Sequence, residues 1–178
     1  MRLLASLKDN EFPYKGIKAT RNVVRALVLD ENGNIALHHV YGMMGEEFGF
    51  RDYYETPGGG VKDNESFEVA LKRECLEELG YEIEIIAEIG EIDDYYNLLE
   101  RKNLNHYYLC KRVGSQKELH FASRGDQLIE KTLWVPFSEA KRLYETHKGT
   151  PLAILVFNRE YQILFEGEKI LNNLRAKP

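Results

Sequence analysis

The sequence predicts an α/β (α+β) domain in which helices cover both faces of a mixed β-sheet. Two observations support this class: strand-like and helix-like segments are interleaved without a regular βαβ alternation, and the first two strands form a hairpin. With 178 residues, 43% of them hydrophobic and 30% charged, the chain is long enough for one domain with a sizeable core. We therefore predict a single domain over residues 1–178, without a linker or an internal repeat.

The first two predicted strands are joined by a tight turn. Asn22–Asp30 and Asn34–Val40 have strand-like sequences, and Glu31-Asn32-Gly33 between them supplies turn residues. The segment Tyr41–Glu55 is aromatic, contains several glycines and has no period, so we predict a long loop there. Further strands are predicted at Tyr81–Ile92, Asn105–Val113 and Thr132–Val135.

One helix is predicted directly after a glycine turn, residues 56–60 (TPGGG). Glycines after a proline allow unusual φ angles and a close approach of the backbone to a ligand. The helix begins with Asn64 or Ser66 as its N-cap and stops at Gly80. Its apolar stripe recurs every four residues, which predicts a face packed on the core. The stripe consists of Phe67, Leu71, Cys75 and Leu79, and two more helices are predicted at Phe137–Tyr144 and Leu152–Leu174.

The same helix carries a cluster of carboxylates beside this stripe. Successive helical residues turn by roughly 100°, so Glu74, Glu77 and Glu78 project from one face. Like charges at this spacing destabilise an isolated helix. A hard divalent cation, which prefers oxygen ligands, would turn this repulsion into a binding site.

The spacing of these residues resembles a known family motif. Gly59 is followed after five residues by Glu65 and after seven more by Arg73-Glu74-Cys75-Leu76-Glu77-Glu78-Leu79-Gly80-Tyr81. This is similar to the Nudix box, G-x5-E-x7-R-E-U-x-E-E-x-G-U with U an aliphatic residue, and the chain resembles the Nudix hydrolase family. Cys75 and Tyr81 depart from the two aliphatic positions, but neither change removes a charge or an expected metal ligand.

The resemblance implies an α/β/α sandwich and hydrolysis of the diphosphate bond in a nucleoside diphosphate linked to another moiety. Three substrate classes remain possible: a nucleoside triphosphate, a dinucleoside polyphosphate or a nucleotide-sugar. The resemblance also implies Mg²⁺ or Mn²⁺ as the cofactor. The expected metal ligands are Glu74, Glu77, Glu78 and the backbone carbonyl of Gly59.

The catalytic base is left open by the resemblance. It is either a box glutamate, Glu77 or Glu78, or a glutamate on a later loop, for which Glu130 is the candidate. Arg73 either pairs with a box carboxylate and holds the turn in shape, which we favour, or is a solvated helix charge. Glu65 is either a metal partner or a first-turn glutamate that complements the helix dipole.

Substrate selection lies outside the box. Relatives that resemble ADP-ribose hydrolases carry a proline about 15 residues beyond it, which this chain lacks, whereas dinucleoside polyphosphate hydrolases tend to carry a tyrosine that Tyr95 or Tyr96 could match. The aromatic segment Phe48–Tyr54 could stack a base, with Arg51 on a phosphate, or could form a packed lid. We therefore name Arg51, Tyr95 and Tyr96 as candidate substrate-binding residues.

Charge and composition narrow the range of partners. A net charge of −5 argues against a protein that coats nucleic acid. No apolar run approaches the roughly 20 residues of a membrane span, so we expect neither a nucleic-acid nor a membrane partner. Cys75 and Cys110 are too isolated for a zinc site or a disulfide framework. We predict a cytoplasmic protein with a small nucleotide substrate and a possible homodimer.

Two other function classes compete with hydrolysis. A catalytically inactive Nudix-fold nucleotide-binding or sensor domain would typically have lost box carboxylates, which are intact here. An isomerase acting on an isoprenoid diphosphate would need a catalytic cysteine in the cleft, and Cys75 lies on the apolar stripe instead.

Overall fold

The computed structural model describes residues 1–9, 11–46, 48–146 and 153–176. Within these residues the chain forms eight strands, three α-helices and two short 3₁₀ turns at Asn97–Leu99 and Asp126–Leu128. The strands are β1 (Leu3–Lys8), β2 (Ala19–Leu29), β3 (Ile35–Met43), β4 (Phe50–Glu55), β5 (Gly58–Gly60), β6 (Glu82–Tyr96), β7 (Arg101–Val113) and β8 (Ile129–Val135). The helices are α1 (Phe67–Leu79), α2 (Phe137–Thr146) and α3 (Ala153–Arg175).

The strands form one mixed sheet in the order β1-β6-β7-β2-β3-β4. β1 runs parallel to β6 and β7 runs parallel to β2, whereas the other pairs are antiparallel. β2 and β3 pair only next to their turn, at Leu29 and Ile35. Farther from the turn, β2 pairs with β5 and β7, while β3 pairs with β4 and β8. The two halves of the sheet therefore meet at the hairpin and diverge beyond it.

Helices cover both faces of the sheet because the buried side chains of its central strands alternate. On β2, Val24, Ala26 and Val28 pack in one core cluster with α1, while Leu27 and Leu29 pack in a second cluster with α2 and α3. This arrangement confirms the predicted α/β/α sandwich with a mixed sheet. None of the helices in the described part of the chain is long and apolar enough to cross a membrane.

The predicted hairpin, the helix after the glycine turn and the two later helices are confirmed, although Leu152 lies outside the described residues. The long loop predicted at Tyr41–Glu55 is wrong, because β3 continues to Met43 and β4 pairs with it in an antiparallel register. Charged and aromatic residues share both faces of β4, so the strand has no apolar alternation. The N-terminal strand β1 was not predicted.

Candidate active site

The chain around α1 has the local structure that its sequence predicts. Of the two N-cap candidates it is Ser66 that caps the helix, since its hydroxyl oxygen accepts a hydrogen bond from the backbone N–H of Val69 at 3.3 Å. Gly80 ends the helix with φ 72°, and a side chain there would lie 2.3 Å from the carbonyl oxygen of Lys117. The helix therefore begins and ends at fixed points, which sets the direction of its carboxylates.

The glycine turn brings the backbone against these carboxylates. Gly58 pairs with β2 so closely that a Cβ atom at this position would lie 2.1 Å from the carbonyl oxygen of Val24. At Gly59 a Cβ atom would lie 2.6 Å from the carboxyl carbon of Glu74. The Glu74 carboxylate thus lies directly against the Gly59 backbone, and any side chain at this position would displace it.

Arg73 binds several of the box residues at once. Its Nε and Nη2 atoms donate to the two carboxylate oxygens of Glu65 at 2.8 and 2.9 Å, and Nη2 also donates to the carbonyl of Gly60 at 3.1 Å. Nη1 donates to Glu74 at 2.6 Å and to Glu77 at 3.3 Å. These hydrogen bonds lower the pKa of Glu65 to about 2. The geometry matches the favoured interpretation of Arg73 as an ion-pair partner that holds the turn.

Glu74 and Glu78 are the buried carboxylates of the site. Burial raises the pKa of Glu74, and repulsion by Glu78 adds to this increase. Burial likewise raises the pKa of Glu78, although its Oε2 atom accepts a hydrogen bond from the backbone N–H of Gly58 at 2.8 Å. Two buried carboxylates close to one another are costly unless a cation or further donors balance their charge.

The carboxylates of Glu74 and Glu78 and the carbonyl of Gly59 fit a hard divalent cation. Within the described residues, no three side chains of the His, Cys, Asp or Glu type converge closely enough to form a complete metal site. Mg²⁺ does not require such a cage, because it usually binds through one or two carboxylates, water and substrate phosphates. Glu74, Glu78 and the Gly59 carbonyl offer the oxygen ligands for such a site. Glu77, which is partly exposed, lies beside them against Arg73.

His38 is a site neighbour that the sequence did not identify. This side chain is buried, its Nδ1 atom is 3.0 Å from the hydroxyl of Thr132, and its Nε2 atom lies 3.3 Å from Oε2 of Glu78. A histidine on the inward face of a predicted strand indicates a core residue, and only the structure shows that it touches a box carboxylate.

An arginine-lined cleft adjoins the carboxylates. Its cavity of about 290 Å³ is bordered by Gly58, Gly59, Glu78 and three arginines, Arg21, Arg25 and Arg101. The Nε atoms of all three arginines are buried without a hydrogen-bond partner among the described residues. Burial lowers the pKa of Arg21, and repulsion by the other two arginines adds to the effect. Glu55 and Asp126 also border the cleft, and Arg25 pairs with Glu55 at 2.9 Å. Guanidinium groups suit the oxygens of a diphosphate. In the sequence, this cleft is indicated only by Arg25, a charged residue inside an otherwise apolar strand.

The predicted substrate-binding residues are only partly brought together. Arg51 is buried on β4, and its Nη2 atom donates to the hydroxyl of Tyr96 at 3.2 Å. Tyr96 borders a second cavity beside the arginine-lined cleft. Tyr95 lies apart from them, with Lys102 over its ring and a separate cavity beside it at the N-terminal strand.

Glu130 lies in β8, so the loop position predicted for it is wrong. Its Oε2 atom is 2.9 Å from Nδ1 of His39, whose Nε2 atom is also 2.9 Å from Asp52. His38 and His39 are successive residues of β3 and therefore point to opposite faces. The Glu130 carboxylate is thus bound on the face of β3 that points away from Glu78, and its catalytic role stays a prediction.

Comparison with known proteins gives one curated relative. The chain is 37% identical over 115 residues to the RNA pyrophosphohydrolase of Wolbachia pipientis subsp. Culex pipiens (strain wPip). The match covers 58% of this chain and 66% of the relative, which is slightly less than two thirds of the relative's length.

Solved structures support the fold. The MutT protein from Methanosarcina mazei Go1 has a TM-score of 0.60 at 18% identity, with 88% of this chain and 99% of that chain covered. The ORF135 protein of E. coli has a TM-score of 0.59 at 22% identity, covering 94% of this chain and all of the other. A UDP-X diphosphatase has a TM-score of 0.56 at 15% identity, with 90% of this chain and 66% of the other covered.

The family is shown by a match to the model of the NUDIX domain over residues 19–161, most of the chain. This range contains the glycine turn, the helix with its carboxylates and the arginine-lined cleft. The chain therefore belongs to the NUDIX domain family.

Proposed function

We propose that the protein is a Mg²⁺- or Mn²⁺-dependent pyrophosphohydrolase that cleaves the diphosphate bond in a nucleoside diphosphate linked to another moiety. The observation that carries this proposal is that the buried Glu78 carboxylate and Gly59, against which the Glu74 carboxylate lies, border a cleft that is also lined by three arginines. Carboxylates suit the metal and arginines suit the phosphates, so the cleft offers both halves of a metal–diphosphate site. The name of the curated relative, an RNA pyrophosphohydrolase, supports the same reaction class.

Each group in the site has a separate task. Glu74, Glu78 and the Gly59 carbonyl would hold the cation, with Glu77 beside them. A bound cation would neutralise the diphosphate and lower the pKa of an attacking water. Arg21 and Arg101 bind and orient the phosphate oxygens, and Arg25, which also pairs with Glu55, borders the same cleft.

Arg73 acts through the residues that it holds. By binding Glu65, Glu74 and the Gly60 carbonyl, it keeps the turn and the carboxylates in one arrangement. The catalytic base stays a prediction, with Glu77, Glu78 and Glu130 as candidates. Substrate contacts by Arg51, Tyr95 and Tyr96, a homodimer and a cytoplasmic location also stay predictions.

The competing classes have less support. A sensor domain does not explain why the box carboxylates and the arginines are both present. The isomerase interpretation needs a cysteine in the cleft, but Cys75 and Cys110 are both fully buried in the core that packs against α1.

The proposal is tested by a Glu78→Gln variant and a substrate panel. The panel contains nucleoside triphosphates, dinucleoside polyphosphates, nucleotide-sugars and a 5′-triphosphorylated RNA oligonucleotide, each with Mg²⁺, and the products are identified by mass spectrometry. We expect cleavage of at least one compound by the wild-type protein and a loss of about 10²–10⁴-fold in kcat for Glu78→Gln.

Glu68→Gln is the matched control, because Glu68 lies on the exposed side of the same helix and pairs with Lys72. It should keep wild-type activity. Full activity of Glu78→Gln would contradict the metal-site assignment. Binding of a panel compound without cleavage would favour the sensor domain instead.

A further inference from the structure

The arginine-lined cleft has two walls that differ in chemistry. Arg21 and Arg25 on β2 and Arg101 on β7 supply the guanidinium groups of one wall. The other, here called the apolar wall, consists of Val40 of β3, Met44 just after β3, Tyr53 of β4, Leu128 of the second 3₁₀ turn and Ile129 of β8. A ligand that fills this cleft therefore meets charged groups on one side and apolar groups on the other.

The separation of the two walls follows from the topology of the sheet. Strands β2, β5 and β7 carry the arginines and the glycine turn, whereas β3, β4 and β8 form the other half of the sheet. Glu78 lies between the halves, because its Oε2 atom accepts from the Gly58 N–H of β5 at 2.8 Å and is 3.3 Å from Nε2 of His38 on β3. The proposed cation site is thus at the floor of the cleft, where the two walls meet.

The apolar wall is one continuous surface. Val40 lies opposite Tyr53 in the pairing of β3 with β4, and opposite Ile129 in the pairing of β3 with β8. Residues that lie opposite one another on paired strands share a face of the sheet. A Cβ atom at Gly42, two residues after Val40, would lie 3.1 Å from Cδ2 of Leu128, so the 3₁₀ turn packs directly on the end of β3.

Most of this wall is open to a ligand. Val40 is buried, but Met44, Tyr53, Leu128 and Ile129 are only partly buried, and all of them border the cleft. Removing apolar surface from water is favourable in proportion to its area. A ligand group that covers this wall with an apolar face would therefore gain affinity from it.

The wall has few atoms that could distinguish one base from another. The thioether of Met44 is only a weak acceptor, and the hydroxyl of Tyr53 can either donate or accept. Ser123 and Asp126 also border the cleft, but they bind each other: the Ser123 backbone N–H donates to Oδ2 of Asp126 at 2.7 Å, and the Asp126 backbone N–H donates to Oγ of Ser123 at 3.1 Å. Binding to the apolar wall thus depends on shape and area.

We propose that the apolar wall is the nucleobase subsite and that it accepts either purine without reading its edge. The assignment rests on the proposed function, since it takes a diphosphate on Arg21 and Arg101 as its starting point. Every base has two apolar faces and carries its polar atoms on its edge, so one face lies on the wall while the edge stays in water. A sugar would instead turn hydroxyl groups towards a wall that offers few partners for them.

Probes that resist hydrolysis measure what the base contributes. α,β-Methylene ADP and α,β-methylene GDP carry a P–C–P bridge, and methylenediphosphonate is the same anion without the nucleoside. In calorimetric titrations with Mg²⁺, we expect both nucleotides to bind the wild-type protein about 10- to 100-fold more tightly than methylenediphosphonate, because only they cover the wall. Their own affinities should differ by less than about 3-fold, since the wall does not read the edge of the base.

Variants of the wall separate the base from the ribose. Leu128→Ser and Met44→Ser each remove apolar area and leave the arginines and carboxylates in place. Each should weaken binding of α,β-methylene ADP by about 3- to 10-fold and change that of methylenediphosphonate by less than about 2-fold. Leu119→Ser is the matched control, because Leu119 is 40% exposed and lies outside the cleft lining. It should keep both wild-type affinities.

Thermal melting checks the fold of each variant. If one wall variant does not fold, the other decides, and if neither folds, the comparison of the probes on the wild-type protein decides. Three results would overturn the subsite: equal affinities for α,β-methylene ADP and methylenediphosphonate, a preference of more than about 10-fold between the two nucleotides, or tighter binding of isopentenyl diphosphate than of α,β-methylene ADP. The last result would mean that the wall holds an alkyl chain.

The outcomes also separate this proposal from the proposed function. Purine-tolerant binding that the wall variants weaken, without Mg²⁺-dependent cleavage of any compound in the substrate panel, would leave the subsite standing and refute the proposed hydrolysis. Cleavage of a panel compound together with equal affinities for α,β-methylene ADP and methylenediphosphonate would refute the subsite and leave the hydrolysis standing.

Discussion

Glu160 of α3 binds Thr56, the residue at which the glycine turn begins. One carboxylate oxygen accepts hydrogen bonds from the Thr56 hydroxyl at 2.7 Å and from its backbone N–H at 3.2 Å. The other oxygen accepts from the hydroxyl of Tyr107 at 2.6 Å and from Nε of Arg159 at 3.0 Å. Glu160 is fully buried, so the C-terminal helix holds the turn in place through a carboxylate with four donors.

Replacing this carboxylate should destabilise the protein. In Glu160→Gln the amide nitrogen would face donors on either side, so we expect the free energy of unfolding to fall by about 2–5 kcal/mol in urea titrations. Glu166 is on the same helix as Glu160 and forms a solvent-exposed ion pair with Arg2. Glu166→Gln should therefore change the free energy of unfolding by less than about 1 kcal/mol. Equal stability of the two variants would contradict the anchoring role.

Gly59→Ala should act on the metal site. The new Cβ atom would lie 2.6 Å from the carboxyl group of Glu74 and would displace it from the backbone. We expect the Mg²⁺ concentration for half-maximal activity to rise about 10-fold or more, as measured by metal titration of the hydrolysis rate.

Gly167→Ala provides a control for general crowding. Its Cβ atom would lie 2.3 Å from Leu27 in the core, so it should lower stability by about 1–3 kcal/mol and leave the Mg²⁺ dependence as it is. If Gly59→Ala showed the Mg²⁺ dependence of the wild-type protein, the contact between Gly59 and Glu74 would have no role in binding the cation.

The family and the fold class were predictable because their evidence is local. The box lies within one short segment, where spacing alone places Glu74 and Glu78 on one face and Gly59 before them. The domain match and the sheet topology confirm both predictions. The helix ends were predictable for the same reason, since Ser66 and Gly80 act within one turn of the helix.

The rest of the site depends on contacts between distant segments. Glu160 and Thr56 are 104 residues apart, and His38 and Thr132 are 94 residues apart. Asn103 and Asn105 lie beside Asp94 only because of the register in which β7 pairs with β6. No periodicity of a single segment contains this information, so these residues could not be identified from the sequence.

The Arg73–Glu65 pair makes stability depend on pH in a defined direction. Arg73 lowers the pKa of Glu65 from 4.5 to about 2, so the unfolded chain binds more protons at this residue than the folded protein does between these values. The contribution to stability is therefore complete above about pH 4.5 and is lost as the pH falls towards 2.

Urea unfolding of wild-type and Glu65→Gln protein at pH 6 and pH 3.5 tests this. We expect the wild-type protein to lose more stability between the two pH values than Glu65→Gln, while the control Glu68→Gln should lose as much as the wild-type protein. Identical losses for all three proteins would show that the pair does not contribute to acid sensitivity.

The two cysteines should be unreactive in the folded protein. Cys75 and Cys110 are fully buried in the core between α1 and the sheet. Burial raises the pKa of both thiols, that of Cys110 to about 12. Because the thiolate is the reactive form, we expect a disulfide reagent at pH 8 to label fewer than about 0.1 thiols per native chain and both thiols in denaturant.

Ser115→Cys, at an exposed position, is the positive control and should add one rapidly labelled thiol. Rapid labelling of the native wild-type protein would instead mean that a thiol is open to solvent, and the isomerase interpretation would then regain the cysteine that it requires.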